Sequence, residues 1–83
     1  MKDLILFIVK AIVDEPEKVS VSEEETEFNY TNYLLTVSEN DMGKVIGKGG
    51  KIIKAIRNLL RVLAIKQNKK FNLLLNENLP NQN

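Results

Sequence analysis

The sequence predicts a single small α+β domain with the element order helix, strand, strand, helix, helix, strand. Two apolar stretches with helical spacing, one at the N-terminus and one after residue 50, alternate with three short stretches suited to strands. Eighty-three residues, 43% of them hydrophobic, allow one modest core. We therefore expect one domain over residues 1–76 and a flexible tail over residues 77–83.

The first half of the chain predicts one helix and two strands. Apolar residues recur at helical spacing from residue 2 to residue 13 and stop before Pro16. Val19 and Val21 alternate with serines and predict a short strand, after which glutamates at positions 23, 24, 25 and 27 predict an acidic loop. Residues 28–38 are rich in aromatic and β-branched residues and predict the second strand, most strongly from Tyr33 onward.

The second half predicts two helices and a strand. Asp41 is a candidate N-cap for a short helix over residues 42–46, which Gly47 stops. A long helix is expected from Gly50 to about Ile65, and the last strand over residues 71–75.

Composition excludes most enzyme chemistry. The chain has no cysteine and no histidine, which removes disulfides, thiol nucleophiles, imidazole metal ligands and the usual general base. We therefore expect no catalytic residues, metal, cofactor or small-molecule substrate. The apolar N-terminus is interrupted by Lys10 and lacks a small-residue cleavage site, so we expect a soluble, cytoplasmic protein without a membrane segment.

Charge is strongly segregated along the chain, although the net charge is only +1. Residues 1–41 hold three lysines and ten acids, whereas residues 42–76 hold nine lysines or arginines and no acid. A basic half of this kind favours a polyanionic partner through counterion release. A solvated face whose charges pair with the acidic half explains the same composition.

The loop Gly47–Gly50 lies inside this basic half. Glycines at positions 47, 49 and 50 permit positive φ and remove Cβ atoms that would keep a phosphate backbone at a distance. The start of the long helix adds backbone N–H groups and the positive end of its dipole. Lys48 and Lys51 supply mobile charge. We predict an anion site here, with bases lying in a groove walled by the second strand and by Val45, Ile46, Ile52 and Ile53.

Other glycine loops fit less well. A Walker loop needs Lys-Ser or Lys-Thr after its last glycine, and a dinucleotide site needs a glycine where Ile52 stands. A tight turn between two helices with incidental lysines remains an alternative.

The run Ile46-Gly47-Lys48-Gly49-Gly50-Lys51-Ile52 resembles the I-G-x-x-G-x-x-I signature of KH domains. The wider run Asp41–Lys51 resembles the short bacterial single-KH proteins of the KhpA type, and the element order and the chain length are similar to theirs as well. The resemblance implies a type II KH fold: a three-stranded sheet with three helices packed on one face.

The resemblance further implies a non-catalytic protein that binds single-stranded RNA, as an RNA chaperone or post-transcriptional regulator. Its GxxG loop would clamp about four nucleotides. It also implies a homodimer, or a heterodimer with a KH protein of the KhpB or Jag type. The rival interpretation is a KH-fold adaptor whose partner supplies RNA binding. The RNA-binding residues expected are Lys44, Val45, Ile46, Gly47, Lys48, Gly49, Gly50, Lys51, Ile52, Lys54 and Arg57.

The long helix has an apolar arc of about 200° when its residues are placed at 100° intervals. One side of a small sheet covers little more than half of that arc. We therefore expect Ile53, Leu60 and Ala64 to form a pairing surface, unless the N-terminal helix covers them.

Overall fold

The computed structural model describes residues 1–76, which fold in the predicted order. The main elements are α1 (Lys2–Ile12), β1 (Ser20–Glu25), β2 (Tyr30–Thr36), α2 (Met42–Ile46), α3 (Lys51–Lys66) and β3 (Lys70–Leu75). Short 3₁₀ turns lie at Pro16–Lys18, Glu39–Asp41 and Lys48–Gly50. The predicted tail, residues 77–83, lies outside the described residues.

The sheet has the strand order β1-β2-β3, with β2 in the centre. β1 pairs with β2 in antiparallel orientation, and Val21 lies opposite Leu35. β2 pairs with β3 in parallel orientation, and Tyr33 lies opposite Leu73. This mixed sheet and the αββααβ order are consistent with the type II KH fold that the sequence predicts.

Alternation along the strands places the core on one face of the sheet. Val21, Tyr33, Leu35 and Leu73 are buried, whereas Leu34 and Leu74, on the opposite face, are 37% and 46% exposed. The helices cover the buried face with a stripe of apolar residues each, which includes Ile5 and Val9 on α1, Val45 on α2, and Ile53, Ile56 and Leu60 on α3. The prediction that all three helices lie on one face is confirmed.

The acidic loop that the sequence predicts is mostly strand. Glu23, Glu24 and Glu25 form the second half of β1 and pair with residues 31–33 of β2. Glutamate has a low strand propensity, but at a solvent-exposed edge the partner strand decides the conformation. The second strand correspondingly begins at Tyr30 rather than at Phe28, because Phe28 and Asn29 form the connecting turn with φ angles of +63° and +61°.

Asp41 occupies the N-cap position of α2 but makes no side-chain cap. Its carboxylate, 1% exposed, instead accepts hydrogen bonds from the backbone N–H groups of Asp14 (3.0 Å) and Glu15 (2.9 Å). These bonds join the segment that follows α1 to the start of α2. Asp41 therefore connects two distant parts of the chain at the start of α2, the helix that leads into the glycine loop.

Candidate nucleic-acid interface

The glycine loop is a tight left-handed turn between α2 and α3. Gly47, Gly49 and Gly50 have φ angles of +76°, +64° and +78°. The Gly47 N–H donates to the Gly43 carbonyl (2.9 Å) and ends α2, and the Gly50 N–H donates to the Gly47 carbonyl (3.1 Å). Because L-residues rarely adopt positive φ, the backbone itself explains the three glycines.

Two glycines of the loop have different surroundings. A Cβ on Gly47 would lie 2.3 Å from Ile52 Cγ1 and 2.8 Å from the Ile52 backbone nitrogen, so the absence of a side chain lets α3 begin against the end of α2. A Cβ on Gly49 would meet no heavy atom within 4 Å. Gly47 therefore shapes the loop, and Gly49 presents bare backbone to solvent.

Positive charge surrounds the exposed backbone. Lys48 and Lys51 are both exposed, and α3 begins at Lys51 without a side-chain cap from Gly50. An uncapped helix start offers N–H groups and the positive end of the helix dipole to an anion. This arrangement can hold a phosphate group between backbone and lysine side chains.

The three outer cations of the predicted site have different roles. Lys54 is exposed, with its Cε 3.7 Å from the position of a Cβ on Gly50. Lys44 pairs with Asp14, whose hydrogen bond raises the pKa of the Lys44 ammonium. Arg57 donates from Nε to the Leu73 carbonyl on β3 (3.1 Å). Arg57 thus joins α3 to β3, the edge strand, and the second strand, which is predicted to wall the groove, is the centre of the sheet.

The four apolar residues predicted to wall the groove differ in their exposure to solvent. Val45 is fully buried and Ile53 is 7% exposed, so both belong to the core and cannot touch a base. Ile46 is half-buried and Ile52 is 37% exposed. Of the four residues predicted to wall the groove, only these two reach the surface.

The three residues predicted for pairing are also inside the monomer. Ile53, Leu60 and Ala64 are 7%, 0% and 3% exposed, because the face of α3 that carries them lies on the sheet. That choice of residues is wrong. The apolar excess of α3 lies on the other side of the arc, where Ile52, Leu59 and Val62 are 37%, 50% and 64% exposed.

Two ionisable side chains outside the glycine loop have shifted pKa values, Glu15 before α2 and Tyr33 in the sheet. Ser38 donates its hydroxyl to Glu15 (2.8 Å), and with Lys18 and Asn40 it holds the pKa of Glu15 below its ordinary value. Burial, with the charges of Glu23 and Glu25, raises the pKa of Tyr33 in the sheet. Sequence patterns missed the support from Asp41 and Glu15, because their partners lie more than 20 residues away.

The part of the chain that the structure describes contains neither a cluster of metal ligands nor a membrane-spanning helix. No group of three or more His, Cys, Asp or Glu side chains within residues 1–76 could hold a metal ion. Among the helices of that same range, none is long and apolar enough to cross a membrane.

Comparison with known proteins identifies similar chains. The family model described as KhpA/KhpB, KH domain matches residues 2–75. A protein of Listeria monocytogenes named RNA-binding protein KhpA is 52% identical over 73 residues, which cover 88% of this chain and 95% of the relative. Relatives with the same name are 51% identical in Clostridium perfringens (84% and 92% covered) and 46% identical in Chlamydia trachomatis (93% and 97% covered). No solved structure matches the chain.

Proposed function

The chain belongs to the KhpA/KhpB family of KH domains, and we propose that it binds single-stranded RNA, holding about four nucleotides at the loop Gly47–Gly50. The family is not enzymatic, and the three curated relatives compared above are named for RNA binding. The wider role we propose is that of a cytoplasmic RNA chaperone or post-transcriptional regulator.

The observation that carries the proposal is the open space in front of Gly49. A sugar-phosphate backbone can approach the Gly49 main chain because no side chain intervenes, and the exposed Lys48 and Lys51 flank Gly49 and Gly50 in the sequence. Phosphate contacts fix the position of the strand, while its bases lie toward Ile46 and Ile52. The half-buried Ile46 and Ile52 offer apolar surface for those bases.

RNA binding measured by fluorescence anisotropy over a salt series tests the clamp. Lys48, Lys51 and Lys54 make no salt bridge within residues 1–76. Neutralisation of three phosphates by these lysines gives a slope of log K against log salt of about −2. The variant Lys48→Asp/Gly49→Asp should stay folded, because aspartate tolerates the left-handed conformation and Gly49 has room, and it should lose binding.

Lys2→Asp is the matched control for Lys48→Asp. Each removes the same charge from an exposed lysine, but Lys2 lies in the first turn of α1, where an acid is favourable. We expect Lys2→Asp to retain RNA affinity and Lys48→Asp to lose most of it. Equal affinities in the two variants would contradict the clamp and favour the adaptor, whose partner supplies RNA binding.

The exposed side of α3 supports a second proposal, that the chain pairs with another KH chain. The partner is a second copy or a protein of the KhpB or Jag type, and the contact is formed by Ile52, Leu59 and Val62. Two weak clamps in one particle gain avidity. Leu59→Lys should lower the sedimentation coefficient to that of a monomer without unfolding the chain. A monomeric wild type, alone and with the KhpB-type protein, would exclude this proposal.

A further inference from the structure

One ion pair joins the acidic half of the chain to its basic half. Of the nine lysines and arginines in residues 42–76, only Lys44 pairs with a carboxylate of the described residues 1–76, and its partner is Asp14. The other ion pair of that range, between Lys18 and Glu15, lies within the acidic half. The two halves therefore do not neutralise each other, and Lys44 is the cation that the acidic half engages.

The main chain of Asp14 is fixed in place. Its backbone N–H donates to the buried carboxylate of Asp41 (3.0 Å), and the neighbouring Glu15 N–H donates to the same group (2.9 Å). The Asp14 side chain takes no part in these bonds and is 73% exposed. Because its main chain is already ordered, Asp14 loses little conformational freedom when its carboxylate pairs with Lys44.

Lys44 lies close to the clamp. It precedes Gly47 by three residues, which is a rise of about 4.5 Å along α2. Its side chain is 46% exposed, and the hydrogen bond to Asp14 raises the pKa of its ammonium group. A charged lysine one turn before the loop is suited to hold a further phosphate, once it has no carboxylate partner within the chain.

We propose that Asp14 is an internal competitor of RNA: its carboxylate takes the place of a phosphate on Lys44 and keeps this lysine from RNA bound at the loop Gly47–Gly50. The proposal rests on the function proposed above, because it concerns how tightly that same site binds. The clamp then neutralises three phosphates through its three lysines, and not four. Asp14 thus lowers the affinity and speeds the release of RNA, which suits a chaperone that must let its strand go.

The effect of releasing Lys44 follows from counterion release. One more phosphate contact on a single strand makes the slope of log K against log salt steeper by about 0.7, so Asp14→Asn should change it from about −2 to about −2.8. The same contact raises affinity about fourfold at roughly 0.15 M salt and about eightfold at roughly 0.05 M. Asparagine has the shape of aspartate and keeps the backbone bond to Asp41, so the fold should be retained.

The test measures binding of an unstructured RNA of about eight nucleotides by fluorescence anisotropy over a salt series. Such a strand extends beyond the four nucleotides of the clamp, so a fourth phosphate is available to Lys44. Asp14→Asn should bind it more tightly and with the steeper slope. Asp14→Glu, which keeps a carboxylate at this position, should restore the wild-type values. Both variants should unfold at the wild-type urea midpoint, because an exposed ion pair contributes little to stability.

Glu17→Gln is the matched control for Asp14→Asn. It removes the same charge from an exposed acid three residues away, and Glu17 makes no ion pair within residues 1–76. A general change of potential would raise affinity equally in the two variants, whereas release of Lys44 requires Asp14→Asn. Adding Lys44→Gln completes a double-mutant cycle: it should weaken binding by the Asp14→Asn protein about fourfold at roughly 0.15 M salt, and binding by wild type distinctly less.

The possible results separate this proposal from the clamp. If Asp14→Asn and Glu17→Gln bind RNA equally, or if the gain persists when Lys44→Gln is added, Asp14 does not withhold Lys44 and the proposal is wrong, while the clamp stands. Weaker binding by Asp14→Asn would also overturn it, since the pair would then position Lys44 for phosphate. If Lys48→Asp/Gly49→Asp binds the RNA like wild type, the clamp is wrong and the role of Asp14 falls with it.

Discussion

Replacing Gly47 by alanine should destabilise the domain far more than the same replacement at Gly49. The φ and ψ of Gly47, +76° and 171°, lie in a region essentially restricted to glycine, and strain there costs about 2 kcal/mol. A methyl group 2.3 Å from Ile52 Cγ1 adds about 2 kcal/mol of overpacking, for a total of about 4 kcal/mol. At Gly49 the space is open, so only the left-handed conformation, about 1.5 kcal/mol, opposes alanine.

Urea unfolding followed by far-UV circular dichroism measures both free energies of unfolding. The m-values should match wild type, since neither change alters the surface exposed on unfolding. The Gly49→Ala variant should remain folded and bind RNA more weakly, because its methyl group stands where the phosphate backbone approaches. If the two variants unfold at the same urea concentration, the close approach of α3 to Gly47 does not determine the loop.

Three further changes test the core and the loop's support. Leu60→Lys should lower the free energy of unfolding in urea by about 3–5 kcal/mol, because residue 60 is fully buried. Leu59→Lys, at a half-exposed position, should change it by less than about 1 kcal/mol. Similar values for the two variants would mean that α3 packs on the sheet with a different face. Asp41→Asn keeps one acceptor oxygen for two backbone donors and should cost about 1–3 kcal/mol by the same measurement, and an unchanged midpoint would refute the role of that carboxylate. Because the folded pKa of Glu15 is lowered, its contribution to stability is complete above its ordinary pKa of 4.5 and is lost as pH falls through the folded pKa; Ser38→Ala should therefore lose more stability at pH 7 than at pH 3, and a difference independent of pH would contradict this.

The element order and the glycine loop could be predicted because their signals are local. Helical periodicity locates α1 and α3 to within one or two residues of the observed bounds. Positive φ at the three loop glycines follows from the chemistry of that residue alone. The family signature rests on this same local run, which explains why the fold and the family were both correctly predicted.

The errors concern contacts between distant residues. Periodicity gives the width of the apolar arc of α3 but not its rotation on the sheet, so it predicts Leu60 at the surface, where the structure has Leu59. Composition predicts a loop at Glu23–Glu25, whereas pairing with β2 makes these residues a strand. Asp41 stands at the predicted N-cap position of α2, but its carboxylate does not cap the helix. It accepts hydrogen bonds from the backbone N–H groups of Asp14 and Glu15 instead.

The bonds of Asp41 have a consequence for how small an active fragment can be. α2 has five residues, too few to be helical on its own, and it depends on the hydrogen bonds of Asp41 and on the burial of Val45 in the core. A synthetic peptide that carries the signature would therefore keep the glycines and lysines but not their arrangement. A designed protein that is to bind RNA through this loop therefore needs the segment after α1 as well as the loop itself.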